Sequence, residues 1–447
     1  MRLASLTGLF GTNSSGKTAI LQLLLMLKQT VESADRSRVL HTGDERSYVD
    51  LGTPFDVIYR HELPGSITFG LAWTPPKSLR IADPEAAASK TLFTIDELSF
   101  EATVHATSDS VAIGEFSYSF SSGGVARKFG MERKDTNGEK GGQTGYDLSV
   151  DGYSLKRARG RMWPLPPPVK TYGFPDQVNA YYQNVGFLSE LVLAFEQLFH
   201  NIFYLGPLRE YPHRSYVWAG EQPQDVGRRG ELAVPALLAA RTRGATIGRG
   251  HGRRRQMVDE RVAEWLRDLG LIFAFELRSI AENRKEYEVR VQRSRGAPWV
   301  LITDVGFGVS QILPVLVLCY YAPEGATLLF EQPEIHLHPS VQAGLADVFI
   351  DAIGTRKVQI VLESHSEHLL RRLQRRVAED GIDAQRAALY FVSETDGKSH
   401  LEPLQMDLYG SILNWPDNFF GDEMGDLVAM TEAEMRRRGS AQEPAAQ

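Results

Sequence analysis

The chain has 447 residues, of which 43% are hydrophobic and 23% are charged, with 49 Lys and Arg against 56 Asp and Glu and a formal net charge of −7. This composition is typical of a globular protein with one large domain or two or three ordinary ones, and it excludes a global polycation that binds nucleic acid. The single cysteine, Cys319, excludes a disulfide within the chain and favours a cytoplasmic location. We expect neither a signal peptide nor a membrane span, because Met1 leads directly into a motif and the longest apolar run contains Pro314.

The first motif is GTNSSGKT at residues 11–18, which matches the pattern G-x-x-x-x-G-K-T. A short apolar strand, LTGLF, precedes it, and the helical pattern AILQLLLMLKQTVES follows it. We expect Lys17 to reach the β- and γ-phosphates of ATP, and the hydroxyl of Thr18 to bind Mg²⁺. The backbone N–H groups of the loop face phosphate oxygens in such motifs. The predicted nucleotide contacts here are Gly11, Asn13, Ser14, Ser15, Gly16, Lys17 and Thr18.

The middle of the chain is predicted to contain a β-rich segment, then a proline-rich connector, and then an apolar helix with a strand. Residues 66–160 are predicted to be β-rich, with runs such as SITFGLAW and GEFSYSFSS between Gly, Asn and Ser turns. Residues 135–145 are predicted to form a mobile loop tip, and WPLPPPVKTYGFP at 163–175 a rigid connector. An apolar helix, VGFLSELVLAFEQLFHNI, and a strand, FYLGPLRE, are predicted to follow.

Residues 232–258 hold the one local basic patch and contain no acidic residue. Such a patch suits contact with DNA phosphates, and it is equally typical of a solvated loop before a helix. No sustained heptads occur, which excludes long coiled-coil arms. The arginines of this patch are Arg241, Arg243, Arg249, Arg253, Arg254 and Arg255.

The C-terminal half contains two predicted strands that end in polar clusters. The run TLLFEQPEIHLHP places Glu331 and Gln332 at the end of one strand, and KVQIVLESHS places Glu363 and His365 at the end of another. A P-loop sheet requires polar residues at its carboxyl edge. We expect Glu331 to hold Mg²⁺ and His365 to approach the γ-phosphate. Before them, the Gly-rich turn VGFGVSQ opens an apolar helix whose N-terminus suits phosphate binding.

These motifs, in this order, resemble the ABC-type ATPase heads of the SMC, RecF and overcoming-lysogenization-defect group. The chain is similar in particular to a bacterial branch of AAA-type ATPases with a C-terminal domain of unknown function. That domain resembles LEPLQMDLYGSILNWPDNFFGDEMGDL at 401–427, and YLGPLREYPHRSYVWAG with DVGRRGE at 204–231 also resembles this branch.

The resemblance implies an α/β fold, a P-loop ABC-ATPase head with a mixed sheet and flanking helices, a β-rich N-lobe and a helical insertion. The implied segments are an N-lobe (1–231), a basic and helical insertion (232–298), a C-lobe (299–385) and a family-specific C-terminal domain (386–447).

It also implies a homodimer that closes head-to-tail around ATP, with each P-loop completed by the signature turn of the other subunit. That turn is formed here by Gly306, Gly308, Ser310 and Gln311, and Gly306 stands where the family has serine. Relatives act in DNA repair or in anti-phage defence with a separately encoded effector. The chain lacks the Asp-x-Asp pair of the nuclease domain that follows some related ATPases, so we expect no fused nuclease of that kind.

The Glu331-Gln332 pair stands where the wider family has Asp-Glu. Glu331 keeps a charge for a hard cation, but Gln332 cannot accept a proton from water. General-base assistance is worth about 10²–10⁴ in rate, so we predict slow hydrolysis suited to a switch. Glu334 would substitute as the base if the loop turns inward, and the predicted catalytic residues are therefore Gln332, Glu334 and His365.

Two alternatives remain open at the level of sequence. The chain could bind ATP as a structural ligand without hydrolysing it. It could also be a metal-dependent hydrolase, since His-x-His and His-x-x-His pairs suit Zn²⁺. The residues that would serve this last alternative are Glu334, His336, His338, His365 and His368.

Overall fold

The structure is a computed structural model that describes residues 1–83, 90–108, 110–134, 145–160, 163–248, 254–416, 419–420 and 423–441. It divides into two compact units, of which unit 1 comprises residues 1–19 and 203–447 and unit 2 comprises residues 20–202. The predicted loop tip at 135–145 lies outside the described residues except for Gly145.

In chain order the strands and helices are β1 (Leu6–Gly11), α1 (Lys17–Glu32), β2 (Gly65–Trp73), β3 (Leu79–Ala82), β4 (Thr91–Ile95), β5 (Leu98–Ala106), β6 (Val111–Ser122), β7 (Val125–Lys134), β8 (Gly145–Asp151), α2 (Gln177–Tyr181), α3 (Leu188–His200), β9 (Ile202–Leu205), β10 (Tyr216–Val217), α4 (Ala233–Thr242), β11 (Thr246–Ile247), β12 (Gln256–Met257), α5 (Val258–Asp268), β13 (Ala274–Ser279), β14 (Glu286–Gln292), β15 (Trp299–Leu301), α6 (Phe307–Tyr321), β16 (Thr327–Glu331), α7 (Pro339–Arg356), β17 (Gln359–Glu363), α8 (Glu367–Ala378), β18 (Ala387–Thr395), β19 (Lys398–Leu404) and α9 (Glu423–Ala441).

Unit 1 is built on a six-stranded sheet with the order β19-β18-β1-β17-β16-β9. Strand β1 pairs in parallel with both β17 and β18, β16 pairs in parallel with β17, and β18 pairs with β19 in the antiparallel sense. The central strands read as continuous apolar runs, as expected for strands covered on both faces. The predicted mixed α/β sheet with flanking helices is confirmed.

The helices of unit 1 bury their apolar residues in one core together with this sheet. Helix α6 is buried at every position from Val309 to Tyr320, so that apolar residues occur all around it rather than on one face. Helix α8 instead buries one face, made of Leu369, Leu370, Leu373 and Val377. Its predicted solvated arginines form ion pairs, and two of them, Arg372 and Arg376, both reach Asp347 at 2.6 Å.

Unit 2 contains the predicted β-rich segment. A five-stranded antiparallel sheet has the order β2-β5-β6-β7-β8, and β3 and β4 form a separate two-stranded sheet. Its core is aromatic, and the rings of Phe100, Tyr118 and Phe195 pack with centroids 4.6–6.3 Å apart. Aromatic side chains each bury a large area, so a small number of them can form much of the core of this unit.

The two units divide the chain at other points than the four predicted segments. The P-loop strand β1 belongs with residues near 360 and 390 because it pairs with β17 and β18, whereas residues 20–202 pack among themselves. The predicted helical insertion at 232–298 begins with the helices α4 and α5, and it continues as the antiparallel hairpin of β13 and β14. No helix among the described residues is long and apolar enough to cross a membrane.

Candidate functional site

The P-loop connects the end of β1 to the start of α1, as the sequence predicts. Gly11 has a φ of 140°, and a Cβ there would collide with the carbonyl oxygen of Val392. Gly16 has a φ of 91°, and a Cβ there would collide with the hydroxyl of Ser399. Both positions therefore require glycine, because L-residues with a side chain avoid these angles and the space is filled.

Lys17 is buried, and its ammonium group bonds to its own loop. The Nζ atom donates to the carbonyl oxygens of Gly11 and Thr12 at 3.2 and 2.6 Å. Burial lowers the pKa of Lys17, and the nearby carboxylate of Glu363 opposes that shift. The side chain is thus folded over the loop, in a position from which it can exchange these carbonyls for phosphate oxygens.

The ends of three strands converge on the first turn of α1. The hydroxyl of Thr18 donates to the Oε2 atom of Glu363 at 2.8 Å. Glu363 lies opposite Glu331 in the register of β16 and β17, and opposite Leu9 in the register of β1 and β17. The predicted partners Lys17, Thr18 and Glu331 are therefore brought to one edge of the sheet.

The carboxylate of Glu331 is buried near the carboxylate of Glu363, and a bound cation would stabilise its charged form. Burial and, secondarily, the charge of Glu363 raise the pKa of Glu331 to about 7, against a hydrogen bond from Tyr204. Two buried carboxylates and a hydroxyl are hard oxygen donors, which is the ligand chemistry that Mg²⁺ prefers. The residues present thus fit Mg²⁺, and Glu363 joins the predicted ligands Thr18 and Glu331.

Glu334 does turn inward. It is buried, and its Oε1 atom accepts the backbone N–H of His365 at 2.7 Å. Its Oε2 atom is also buried and has no hydrogen-bond partner among the described residues. Burial raises the pKa of this carboxyl, an effect that the hydrogen bond from His365 opposes. One oxygen of a carboxylate with raised pKa is therefore free to accept a proton.

The backbone of the loop after β16 is unusual at two positions. Gln332 and His336 have φ values of 42° and 60°, in the left-handed region that side-chain-bearing residues rarely occupy. The N–H of Gln332 donates to the carbonyl oxygen of Glu363 at 2.9 Å, which extends the sheet by one residue. The turn at Gln332 directs the following segment back, so that Glu334 enters the site.

His365 retains solvent exposure and lies near the P-loop. Partial burial and the positive charge of Lys17 lower its pKa, while Glu363 raises it. The ring is therefore neutral at pH 7 and can donate or accept a hydrogen bond. His365 thus lies close enough to Lys17 for the lysine charge to act on its ring, and its approach to the γ-phosphate stays a prediction.

The predicted signature turn lies at the start of α6. Gly306 precedes the helix, and a Cβ at Gly306 would meet nothing within 4 Å. The hydroxyl of Ser310 donates to the carbonyl oxygen of Phe307 at 2.9 Å. In the described part of the chain, no hydrogen bond joins Gly306, Gly308, Ser310 or Gln311 to the P-loop.

The histidines proposed for a metal-dependent hydrolase do not form a site. Across the described residues, no group of three or more His, Cys, Asp or Glu side chains is arranged to hold a metal ion. His338 instead caps α7, where its ring accepts the N–H of Ser340 at 3.3 Å. This alternative therefore loses its structural basis.

The basic patch is partly occupied by internal contacts. Arg241 donates to the carbonyl oxygen of Leu277 at 3.0 Å, and Arg255 donates to Thr246 at 2.8 Å. Arg243 lies over the ring of Tyr321. Arg249 and Arg253 lie outside the described residues. Contact with DNA stays a prediction.

One residue of the site, Arg209, is absent from the predicted contacts. Arg209 follows β9, which neighbours β16 at the edge of the sheet, and its side chain is 6% exposed. Its charge acts on Tyr204, Glu334 and Glu331. The only sequence signal was its place near the end of the predicted strand FYLGPLRE, which in the structure ends already at Leu205.

Two segments of the chain match known protein families. Residues 248–371 match the family described as "AAA domain, putative AbiEii toxin, Type IV TA system", and residues 382–430 match the family described as "Protein of unknown function (DUF3696)". No curated protein matches the chain. The AAA match contains the strand ends at Glu331 and Glu363 and the start of α6, but the P-loop lies before it.

Similar solved structures include heads of SMC proteins. One is an SMC head bound to the C-winged helix domain of ScpA, with 12% identity, 90% of each chain covered and a TM-score of 0.40. Another is the SMC head domain from Thermotoga maritima, with 12% identity, 91% and 92% covered and a TM-score of 0.35. A third is an SMC head from Pyrococcus furiosus bound to the C-terminal domain of ScpA, with 11% identity, 96% and 93% covered and a TM-score of 0.34. Similarities at this level say nothing about function.

The P-loop, the mixed sheet and the converging strand ends, with the AAA family match over residues 248–371, are the features of a P-loop AAA-type ATPase domain. Residues 382–430, directly after the AAA match, match the DUF3696 family, as the sequence predicts for the C-terminal segment. The resemblance inferred from EQPEIHLHP and NWPDNFF is confirmed.

Proposed function

We propose that this protein binds ATP with Mg²⁺ at the P-loop and hydrolyses it slowly, as a nucleotide-dependent switch. The observation that carries this proposal is the hydrogen bond of 2.8 Å from Thr18 to Glu363, with Glu331 paired beside it. It joins the P-loop helix to two acidic strand ends that are more than three hundred residues away in sequence. A P-loop ATPase needs this convergence to hold the triphosphate and its cation together.

The residues of the chain have separate tasks in this proposal. Lys17 leaves its own loop carbonyls and binds the β- and γ-phosphates, while the loop N–H groups and the start of α1 stabilise their charge. Thr18, Glu331 and Glu363 would hold Mg²⁺, which supplies charge neutralisation at the phosphates when bound. His365 donates a hydrogen bond to the terminal phosphate.

Glu334 is the proposed general base. Gln332 orients the attacking water but cannot remove its proton, whereas the Oε2 atom of Glu334 is buried and free to accept one. The raised pKa of Glu334 brings its basicity nearer to neutral pH, which favours proton transfer there. Water in turn attacks the γ-phosphorus, the bond to the β–γ bridging oxygen breaks, and ADP and phosphate leave.

A homodimer is part of the proposal. The signature turn of one subunit would complete the P-loop site of the other, and exposed apolar side chains border that turn. Leu208, Tyr211 and Phe307 are 72%, 66% and 58% exposed, and exposed apolar groups that lie together favour a protein partner. The switch would act in the cytoplasm, on DNA or on a separately encoded effector, in DNA repair or in anti-phage defence.

Phosphate release by the purified protein tests the proposal. We expect Mg²⁺-dependent release from ATP at well below tens per second, abolished by Lys17→Ala. Nucleotide binding without any release would favour the alternative of a structural ATP ligand. Release that is unchanged in Lys17→Ala would rule out the P-loop as the site.

A further inference from the structure

Arg209 is a buried cation that the fold leaves without hydrogen bonds. All three of its nitrogen atoms, Nε, Nη1 and Nη2, are buried and lack a hydrogen-bond partner in the described part of the chain. A guanidinium offers five N–H donors, and burying such donors without acceptors is costly. The fold nevertheless keeps this unfavourable, unbonded guanidinium beside the strand end that carries Glu331.

The nearby carboxylates do not explain Arg209 as a structural ion pair. The charges of Glu334 and Glu331 act on it, but no ion pair of 4.0 Å or less joins Arg209 to an acidic side chain among the described residues. Burial lowers the pKa of Arg209 to about 10, so it remains charged at pH 7. The group is therefore held near the acidic cluster without bonding to it.

Arg209 also lines a cavity of about 520 Å³. The opposite parts of the wall come from the start of α6, at Phe307 and Gln311, and from His336 in the loop after β16. A second guanidinium, that of Arg229, lines the same cavity. Arg229 is paired with Glu210, so the loop after β9 presents the charge of Arg209 to the region where the terminal phosphate of a nucleotide would meet Glu331 and Glu334.

We propose that Arg209 binds the terminal phosphoryl group of the nucleotide triphosphate, and that this contact lets the site distinguish ATP from ADP. This inference rests on the proposed function. The fork of guanidinium donors matches a phosphate bidentately, and Arg is the side chain that makes such contacts best. A phosphoryl group would accept hydrogen bonds from the three buried nitrogens. Its negative charge would also attract the guanidinium more strongly than the nearby carboxylates do.

The contact would exist only when a third phosphate is present. ADP would leave the nitrogens unbonded, as they are in the structure, whereas ATP would bond them and draw the loop after β9 towards the site. Because the same cavity is lined by Phe307 and Gln311 of α6, the occupation of Arg209 would be transmitted to the signature turn.

Calorimetric titration with two probes, ADP and the non-hydrolysable β,γ-imido analogue of ATP, tests this inference without requiring turnover. We expect Arg209→Gln to weaken binding of the analogue about tenfold or more while ADP affinity stays within about twofold, since a charge-assisted hydrogen bond is lost only with the analogue. Arg209→Lys should recover part of the loss. Arg229→Gln is the matched control, because its side chain lines the same cavity but pairs with Glu210 at 3.5 Å, and we expect it to bind both probes like the unaltered protein.

Mixing Lys17→Ala chains with Arg209→Gln chains distinguishes two sources of the phosphate. Restored high-affinity binding of the analogue in the mixture means that Arg209 serves the nucleotide of a facing subunit, and unrestored binding means that it serves its own P-loop. An unchanged ratio of analogue to ADP affinity in Arg209→Gln overturns the inference but leaves the proposed function intact. If the unaltered protein binds neither probe, the proposed function itself fails.

Discussion

Two buried arginines in unit 1 show how differently one fold treats the same side chain. Arg209 and Arg261 are 6% and 5% exposed. Arg261 forms ion pairs with Glu264 and Asp351 at 2.6 and 2.7 Å, whereas Arg209 forms none with the described residues. Burial lowers the pKa of Arg209, but the partners of Arg261 raise its pKa despite similar burial.

This difference distinguishes an arginine that stabilises the fold from one that we assign to the functional site. The cluster of Arg261 is closed, because its charge is neutralised by Glu264 of α5 and Asp351 of α7. The cluster of Arg209 is open, because the three nitrogens of Arg209 and the Oε2 atom of Glu334 have no hydrogen-bond partner among the described residues. Perturbed, incompletely satisfied groups of this kind are typical of functional sites.

The largest expected effect is on stability at the closed cluster. Arg261→Met leaves the half-buried carboxylates of Asp351 and Glu264 without their buried cation, and we expect it to destabilise the protein by about 3–5 kcal/mol. Arg209→Met removes a cation that has no bonds to lose, and we expect a change within about 1 kcal/mol. Urea denaturation of both variants measures this contrast. Equal losses would mean that Arg209 is structural as well.

The next effect is on turnover at the open cluster. Glu334→Gln keeps the hydrogen bond from His365 but removes the proton acceptor, so we expect turnover to fall about 10²-fold or more with little change in nucleotide affinity. Glu264→Gln provides a matched control, since it alters a carboxylate of the closed cluster, and its turnover per folded molecule should be unchanged. A Glu334→Gln variant with normal turnover would remove Glu334 as the base.

A third effect concerns the stability of the metal-free protein as a function of pH. Because the folded pKa of Glu331 is raised from 4.5 to about 7, its contribution to stability is complete below pH 4.5 and is lost as the pH rises through 7. At pH 8 in EDTA, Glu331→Gln should therefore be more stable than the unaltered protein, by on the order of 1–3 kcal/mol. The gain should vanish near pH 4.5. Thermal unfolding at the two pH values checks the sign.

The smallest effect is expected at the surface of α8. Arg371 pairs with Glu367 at 3.0 Å, and both side chains are substantially exposed. Such pairs contribute about 0–1 kcal/mol, so Arg371→Gln should leave both stability and turnover nearly unchanged. A large loss of either property would show that the ring of Trp415, which Arg371 covers, ties the C-terminal region to the site.

The sequence predicted those parts of the site that local pattern determines. The P-loop, the two strands that end in acidic residues, and the apolar face of α8 all follow from spacing within short segments. Strand β7 was not among the runs recognised within the β-rich segment. Six of its ten residues are exposed, and charged residues lie near both ends, which hides the alternation of its side chains. The hairpin of β13 and β14 was missed although its strands do alternate, with the charged residues Glu276, Arg278, Glu288 and Arg290 on one face.

The roles of Arg209 and Glu363 could not be predicted from patterns within short segments. Nothing in GPLRE indicates that Arg209 is buried without a partner, because burial and hydrogen-bond deficit arise only when β9 is placed beside β16. Glu363 was visible as a polar strand end, but its bond to Thr18 depends on the register of β1 and β17. Both properties belong to the tertiary structure.

The account depends most on the claim that the P-loop and the two acidic strand ends form one site for a nucleotide and its cation. The most direct test is the affinity for the β,γ-imido analogue of ATP with and without Mg²⁺, in the unaltered protein and in Glu331→Gln. We predict that Mg²⁺ strengthens binding at least tenfold in the unaltered protein and has little effect in the variant. An equal gain from Mg²⁺ in both proteins would contradict the claim.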